Sequence, residues 1–144
     1  MANPDLFPYA TLFKPKTIAV CGVSLSNDRH PANVIYNKLL LRYPVKVYPI
    51  NPRGGHLRKD RVYTDISAVP APVDLAVIAT RADHVPQILK GCIEHGVGGA
   101  IIISGGFAEI GRTELQDQLV NMAREAGFPF IGPNCLGVYA PNVF

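Results

Sequence analysis

The chain has 144 residues, 48% of them hydrophobic and 17% charged, the proportions of one globular domain with buried strands and not of a disordered chain. Its net charge of +3 is too small for a general nucleic-acid surface. No apolar run approaches the ~18 residues of a membrane span, and residues 1–9 lack the basic head and long apolar centre of a signal peptide. The three cysteines, Cys21, Cys92 and Cys135, are odd in number and lack metal-ligand spacing, so free thiols in a reducing cytoplasm and no metal site are expected.

After an N-terminal arm over residues 1–14, Thr17 to Val20 forms a short strand. Ala32 to Arg42 places Val34, Ile35 and Leu39 at helical spacing. Val45 to Ile50 is a second strand, ended by Asn51-Pro52, and a short strand or turn is expected at Val62-Tyr63 in the less regular segment that follows. Leu75 to Ala79 is a near-continuous apolar run, as in strands buried on both faces. Asp83 is expected to cap a helix running through His95, with Pro86 in its first turn and Gly96 closing it. Ala100 to Ser104 is another buried strand. Thr113-Glu114-Leu115-Gln116 reads as a capping box for a helix with Leu115, Leu119, Met122 and Ala126 on one face, ending at Gly127. Phe130-Ile131 supplies the last strand. This alternation predicts one α/β domain over residues 1–144, a doubly wound, mostly parallel sheet with helices on both faces.

The candidate chemistry lies in the loops after the strands. Gly22-Val23-Ser24 follows the first strand, where a small-residue turn lets backbone amides approach a phosphate. The stretch is not the Gly-x-Gly-x-x-Gly dinucleotide fingerprint, since Ser24 and Asn27 replace its later glycines. After the second strand stand Asn51, Pro52 and Arg53, where domains that prefer an unphosphorylated ribose carry an acid. A cation here favours a phosphorylated ribose, as in coenzyme A or NADP. Arg58, Lys59 and Arg61 read as a solvated basic loop, and Arg81 as either a surface ion pair or a cleft residue. Ser104, Gly105 and Gly106 end a buried strand in a glycine pair that lets a ligand pass close to the backbone. Glu109 reads as a surface acid. Gly132 and Pro133 stop the last strand abruptly, leaving Asn134 and Cys135 at the carboxyl edge, with Cys135 as a small wall residue of a pocket. His30, His56, His84 and His95 lack a nucleophile nearby in sequence, and no catalytic residue is assigned.

Six segments carry a more specific likeness: Phe13 to Val20, Gly22 to Ser24, Val47 to Pro52, Val73 to Ala79, Ile102 to Gly111 (Ile-Ile-Ser-Gly-Gly-Phe-Ala-Glu-Ile-Gly) and Gly132 to Gly137 (Gly-Pro-Asn-Cys-Leu-Gly). In this order, over residues 12 to about 142, the chain resembles the N-terminal CoA-binding domain of NDP-forming acyl-CoA synthetases. These include ADP-forming acetate–CoA ligases and are related to the succinyl-CoA synthetase α subunit. The resemblance implies a Rossmann-like fold, and a full enzyme that joins a carboxylic acid to coenzyme A with ATP, yielding acyl-CoA, ADP and phosphate through an acyl phosphate and a phosphohistidine.

Residue by residue, the resemblance implies that Gly22, Val23 and Ser24 hold CoA phosphates. Asn51, Pro52 and Arg53 would lie beside the adenosine 3′-phosphate. Ser104, Gly105 and Gly106 would flank the pantetheine arm, with Asn134 and Cys135 near its thiol end or the acyl intermediate. Residues 27–33 depart from the family's glycine-containing approach to the first helix, and Arg81 stands where the family often has a small residue or proline. No histidine matches the phosphohistidine. That group and the ATP site belong to succinyl-CoA-ligase-like and ATP-grasp domains, expected as partners in cis or in trans. The expectation is a module that binds CoA or acyl-CoA, without catalysis in isolation and without nucleic-acid or membrane partners. The alternative is an NADP-binding domain of an oxidoreductase or redox-sensing regulator.

Overall fold

Five parallel strands make the central sheet of the computed structural model, which describes residues 9–141 and 143–144. Of the arm expected over residues 1–14, positions 1–8 lie outside the described residues; its remainder holds a one-turn helix, α1 (Ala10–Phe13), that buries Leu12. The strands β1 (Thr17–Cys21), β2 (Lys46–Ile50), β5 (Leu75–Ile78), β6 (Ala100–Ile102) and β7 (Phe130–Ile131) lie in the order β2-β1-β5-β6-β7. Every neighbouring pair is parallel, so each connection must cross a face of the sheet. β1 and β5 at the centre are almost wholly apolar because both of their faces are covered.

Side chains alternate across these strands and divide the core in two. Ala19, Cys21, Ala76, Ile78, Ala100 and Ile102 face α3 (Val85–Glu94) and α4 (Thr113–Ala126), meeting Leu89, Cys92, Phe107 and Leu119. Ile18, Val20, Leu75, Val77 and Ile101 face α2 (Pro31–Arg42), meeting Ala32, Tyr36, Leu39 and Phe144. The doubly wound, Rossmann-like sheet expected from the sequence is therefore present. Strand order reverses between β1 and β5, the point where such sheets bind ligands beyond their carboxyl ends.

Several local expectations are corrected. In α2 the buried stripe is Ala32, Asn33, Tyr36 and Leu39, while Val34 is exposed. The stripe is set by Tyr36, whose ring fills the core and whose hydroxyl donates to Asp60. The segment after β2 holds a complete antiparallel hairpin, β3 (Gly55–Leu57) with β4 (Asp60–Val62), closed onto α2 by that bond. Asp83 does not cap a helix: it lies in a 3₁₀ turn, Ala82–His84, that precedes α3, and pairs with Arg112. The capping box at Thr113 does not form, because Arg112 occupies the N-cap and the Gln116 carboxamide accepts from the Ala108 amide at 3.3 Å. On α4, Ala123 is buried in place of Ala126.

The flanks of the sheet differ from its centre. β7 has two residues. On β2, Pro49 brings no N–H, its carbonyl accepts from Tyr63 at 3.0 Å, and the Asn51 amide donates to the Tyr63 carbonyl at 2.9 Å. Among the described residues no helix is long and apolar enough to cross a membrane.

Candidate functional site

At the carboxyl ends of β1, β2 and β5 the surface opens into a groove of about 1430 Å³. Gly22, Asn51, Pro52, Arg53, Thr80 and Arg81 line its upper part, and it continues down the outer side of α3. Gly22, at φ 105°, is required here: a Cβ would run into the Ala79 carbonyl oxygen and come within 2.8 Å of Thr80 Cγ2. The missing side chain lets the ends of β1 and β5 close up and leaves the space above them open.

Of the first-loop residues, Val23 is fully buried and Ser24 lies outside the groove lining. The amides of Gly22 and Val23 donate to the Ile50 carbonyl at 3.0 and 3.3 Å. The Ser24 amide donates to Asn33 Oδ1 at 2.6 Å. Asn51 also turns inward: Nδ2 donates to the Val23 carbonyl at 2.7 Å, and Oδ1 accepts from the Arg53 amide at 2.8 Å. The side chain of Asn51 thus ties the first loop to the second, while Arg53 projects, exposed, into the groove.

Ser104, Gly105, Gly106, Asn134 and Cys135 form a second group, joined to the groove through Thr80. Ser104 Oγ accepts from the Thr80 amide at 3.1 Å and its carbonyl accepts from the Asn134 amide at 2.9 Å. Gly132, at φ 107°, presses against β6, where a Cβ would collide with the Ile102 carbonyl; the next peptide bond, Gly132–Pro133, is cis. Asn134 follows in the left-handed region, at φ 55°. A Cβ on Gly105 would stand 3.2 Å from Glu109 Oε1 and 3.3 Å from Asn134 Oδ1, so this residue lies between the two side chains. Glu109 is more than a surface acid. Its carboxylate accepts from the Gly106 amide and from the Phe107 amide (the latter at 3.1 Å), and the Gly106 bond chiefly holds its carboxyl below the usual range.

The charges around the groove are unequally matched. Asp83 pairs with Arg112, and Glu94 with Lys90 at 3.7 Å. Asp65 is held by the Ser67 hydroxyl and by the Ser67 amide at 2.8 Å. Among the described residues neither Arg53 nor Arg81 takes part in an ion pair, so two cations face this space from loops on either side of β1. His84 and His95 line the groove too, whereas His30 caps α2 through Nδ1 and His56 lies on the hairpin. Among the described residues no three His, Cys, Asp or Glu side chains cluster for a metal. All three cysteines are free. Burial pushes the Cys21 thiol up and raises that of Cys92 to about 12, while the Cys135 thiol donates to the Ile102 carbonyl at 3.3 Å.

The sequence profile of the CoA binding domain family matches residues 16–141. The α subunit of an ADP-forming acetate–CoA ligase I from Pyrococcus furiosus is 39% identical over 137 residues, covering 90% of this chain and 30% of that subunit. A solved dinucleotide-forming acetyl-coenzyme A synthetase 1 from Ca. Korarchaeum cryptofilum, in complex with phosphate and ADP, is 38% identical with a TM-score of 0.85, covering 93% of this chain and 30% of that one. Cell-free ID.343 from Thermus thermophilus, at 24% identity and a TM-score of 0.71, shares the fold over 93% of this chain and 94% of its own. The chain spans 30% and 20% of the length of two curated relatives, the second being an ADP-forming acetate–CoA ligase II from Archaeoglobus fulgidus.

Proposed function

This chain belongs to the CoA binding domain family, and from that membership we propose that it is the coenzyme A-binding module of an ADP-forming acyl-CoA synthetase. The observation that carries the reading is the groove at the strand-order switch, with Arg53 and Arg81, unpaired among the described residues, on either side of Gly22. An open cleft with two cations outside any ion pair, over a close-packed glycine, suits a long ligand bearing several phosphates. Arg53 takes the 3′-phosphate of the adenosine end. Gly22 leaves room for the diphosphate, and Arg81 supplies a second cation to the same ligand. The pantetheine arm runs past Gly105 and Gly106 toward Asn134 and Cys135, where Ser104 and Glu109 hold the backbone that it passes.

ATP chemistry and the phosphohistidine belong, on this reading, to succinyl-CoA-ligase-like and ATP-grasp domains in cis or in trans, and the acyl group is exchanged where those domains meet the thiol end. Three free thiols suit a reducing cytoplasm. The NADP reading is not favoured: the profile that matches is a CoA-binding one, and the first turn lacks the dinucleotide fingerprint. Calorimetry of the chain with CoA, acetyl-CoA, NADP and ATP tests the proposal. CoA should bind more tightly than NADP; equal or reversed affinities would overturn it.

A further inference from the structure

Asn33 is a fully buried polar residue in the first turn of α2, facing the core and not the solvent. Its carboxamide is spent on one residue: Oδ1 accepts from the Ser24 amide at 2.6 Å, and Nδ2 donates to the Ser24 carbonyl at 2.8 Å. Such a pair of bonds fixes both the position and the twist of the Ser24 backbone. The Ser24 hydroxyl oxygen in turn accepts from the amides of Ser26 and Asn27, at 3.3 and 3.0 Å. A hydroxyl has two acceptor lone pairs and one proton. With both lone pairs engaged, the proton alone is left, and it points away from those two amides.

We propose that Asn33 is a positioning residue that aims the Ser24 hydroxyl as a donor to a phosphate oxygen of coenzyme A. The inference rests on the proposed function, with the diphosphate reaching past Gly22 in the groove lining to Ser24, two residues beyond it. A side-chain clamp thus fixes the turn between β1 and α2. The adjoining Val23 carbonyl is held by Asn51, which also holds the Arg53 amide. One hydrogen-bonded series therefore sets Ser24 and Arg53 relative to each other.

The test compares the unaltered chain with Asn33→Asp and Ser24→Ala, by CoA titration and thermal unfolding at about pH 8 and about pH 5. An ionised carboxylate at position 33 accepts from the Ser24 amide but repels the Ser24 carbonyl. Protonated, it can make both bonds, and burial raises the pH at which it takes up the proton. Asn33→Asp should therefore bind CoA about tenfold more weakly than the parent at the higher pH and approach parity at the lower. Ser24→Ala should lose binding at both. Asp28, Arg29 and His30 flank this loop in every variant, and the variant-to-parent ratio is read at each pH. A parent that binds no CoA would overturn the proposed function and this inference with it. With a parent that binds, parental affinity of Asn33→Asp at both pH values, a loss that low pH does not recover, or parental affinity of Ser24→Ala would overturn this inference alone.

Discussion

Arg53 and Asn51 stand two residues apart on one loop yet serve different ends. Asn51 looks like a ligand contact in the sequence because it follows a strand at the carboxyl edge. Both polar ends of its side chain are instead consumed within the protein, one of them by a carbonyl 28 positions away, a partner that no local pattern discloses. Among the described residues the Arg53 side chain lacks such a partner, and it projects into the groove. Arg53→Ala should therefore weaken CoA by about 1.5–3 kcal/mol, the worth of a hydrogen bond to a charged group, and dephospho-CoA little. Parallel titrations of the two ligands check this, and equal losses would mean that Arg53 serves the fold or another part of the ligand. Arg81 was ambiguous in the sequence for the same reason in reverse: the acid nearest in sequence, Asp83, is taken by Arg112 from the turn before α4.

At the level of elements, strands with continuous apolar runs were legible because burial on both faces leaves little choice of residue; β5 and β6 lie where the sequence places them, to within one or two residues. The hairpin was only half visible, since two three-residue strands are too short to display a period. The face of α2 was only partly legible: Leu39 is buried as expected and Ile35 packs against the core, but Val34 is exposed, because Ala32 and Asn33, neither strongly hydrophobic, occupy the buried stripe with Tyr36. The turn holding Gly105 and Gly106 owes its shape to Glu109, and that has a consequence in acid. A carboxyl held below its ordinary range by native bonds stabilises the fold above that range, and the contribution is lost as pH falls through its lowered value. Glu109, with Asp65 and Asp83, whose carboxyls are lowered chiefly by the Ser67 hydroxyl and by Arg112, should make the melting temperature fall between about pH 5 and about pH 2. Glu109→Gln should melt lower near neutrality and show a flatter fall. Thermal unfolding across that range checks both, and identical curves for the two proteins would remove Glu109 from this role.

Taken whole, the molecule is a binding surface on a parallel sheet, and its parallel pairing, its two-sided core and the place of its cleft all followed from the alternation of segments, whereas the strand order came from the structure. What did not follow was which loop groups remain unspent after the protein has bonded to itself. Incubated alone with acetate or longer acids, ATP and CoA, the chain should form no acyl-CoA, and no phosphate should transfer to His30, His56, His84 or His95. A sensitive thioester assay and phosphate labelling read these outcomes; ATP-dependent turnover above background would refute the division of labour proposed for the partner domains. The flanks of the sheet carry a further consequence. Open backbone at a sheet margin is a template for polymerisation, and short outer strands, proline and lysine blunt it. On one side only Phe130 and Ile131 could recruit a foreign strand before Gly132 and Pro133 turn the chain away. On the other, Pro49 and the bonds to Tyr63 occupy the end of β2, and Lys46 stands at its exposed beginning. Crowded copies of this domain, or adjacent parts of a longer polypeptide, therefore meet it through side chains, and main-chain stacking into fibrils finds little to start from.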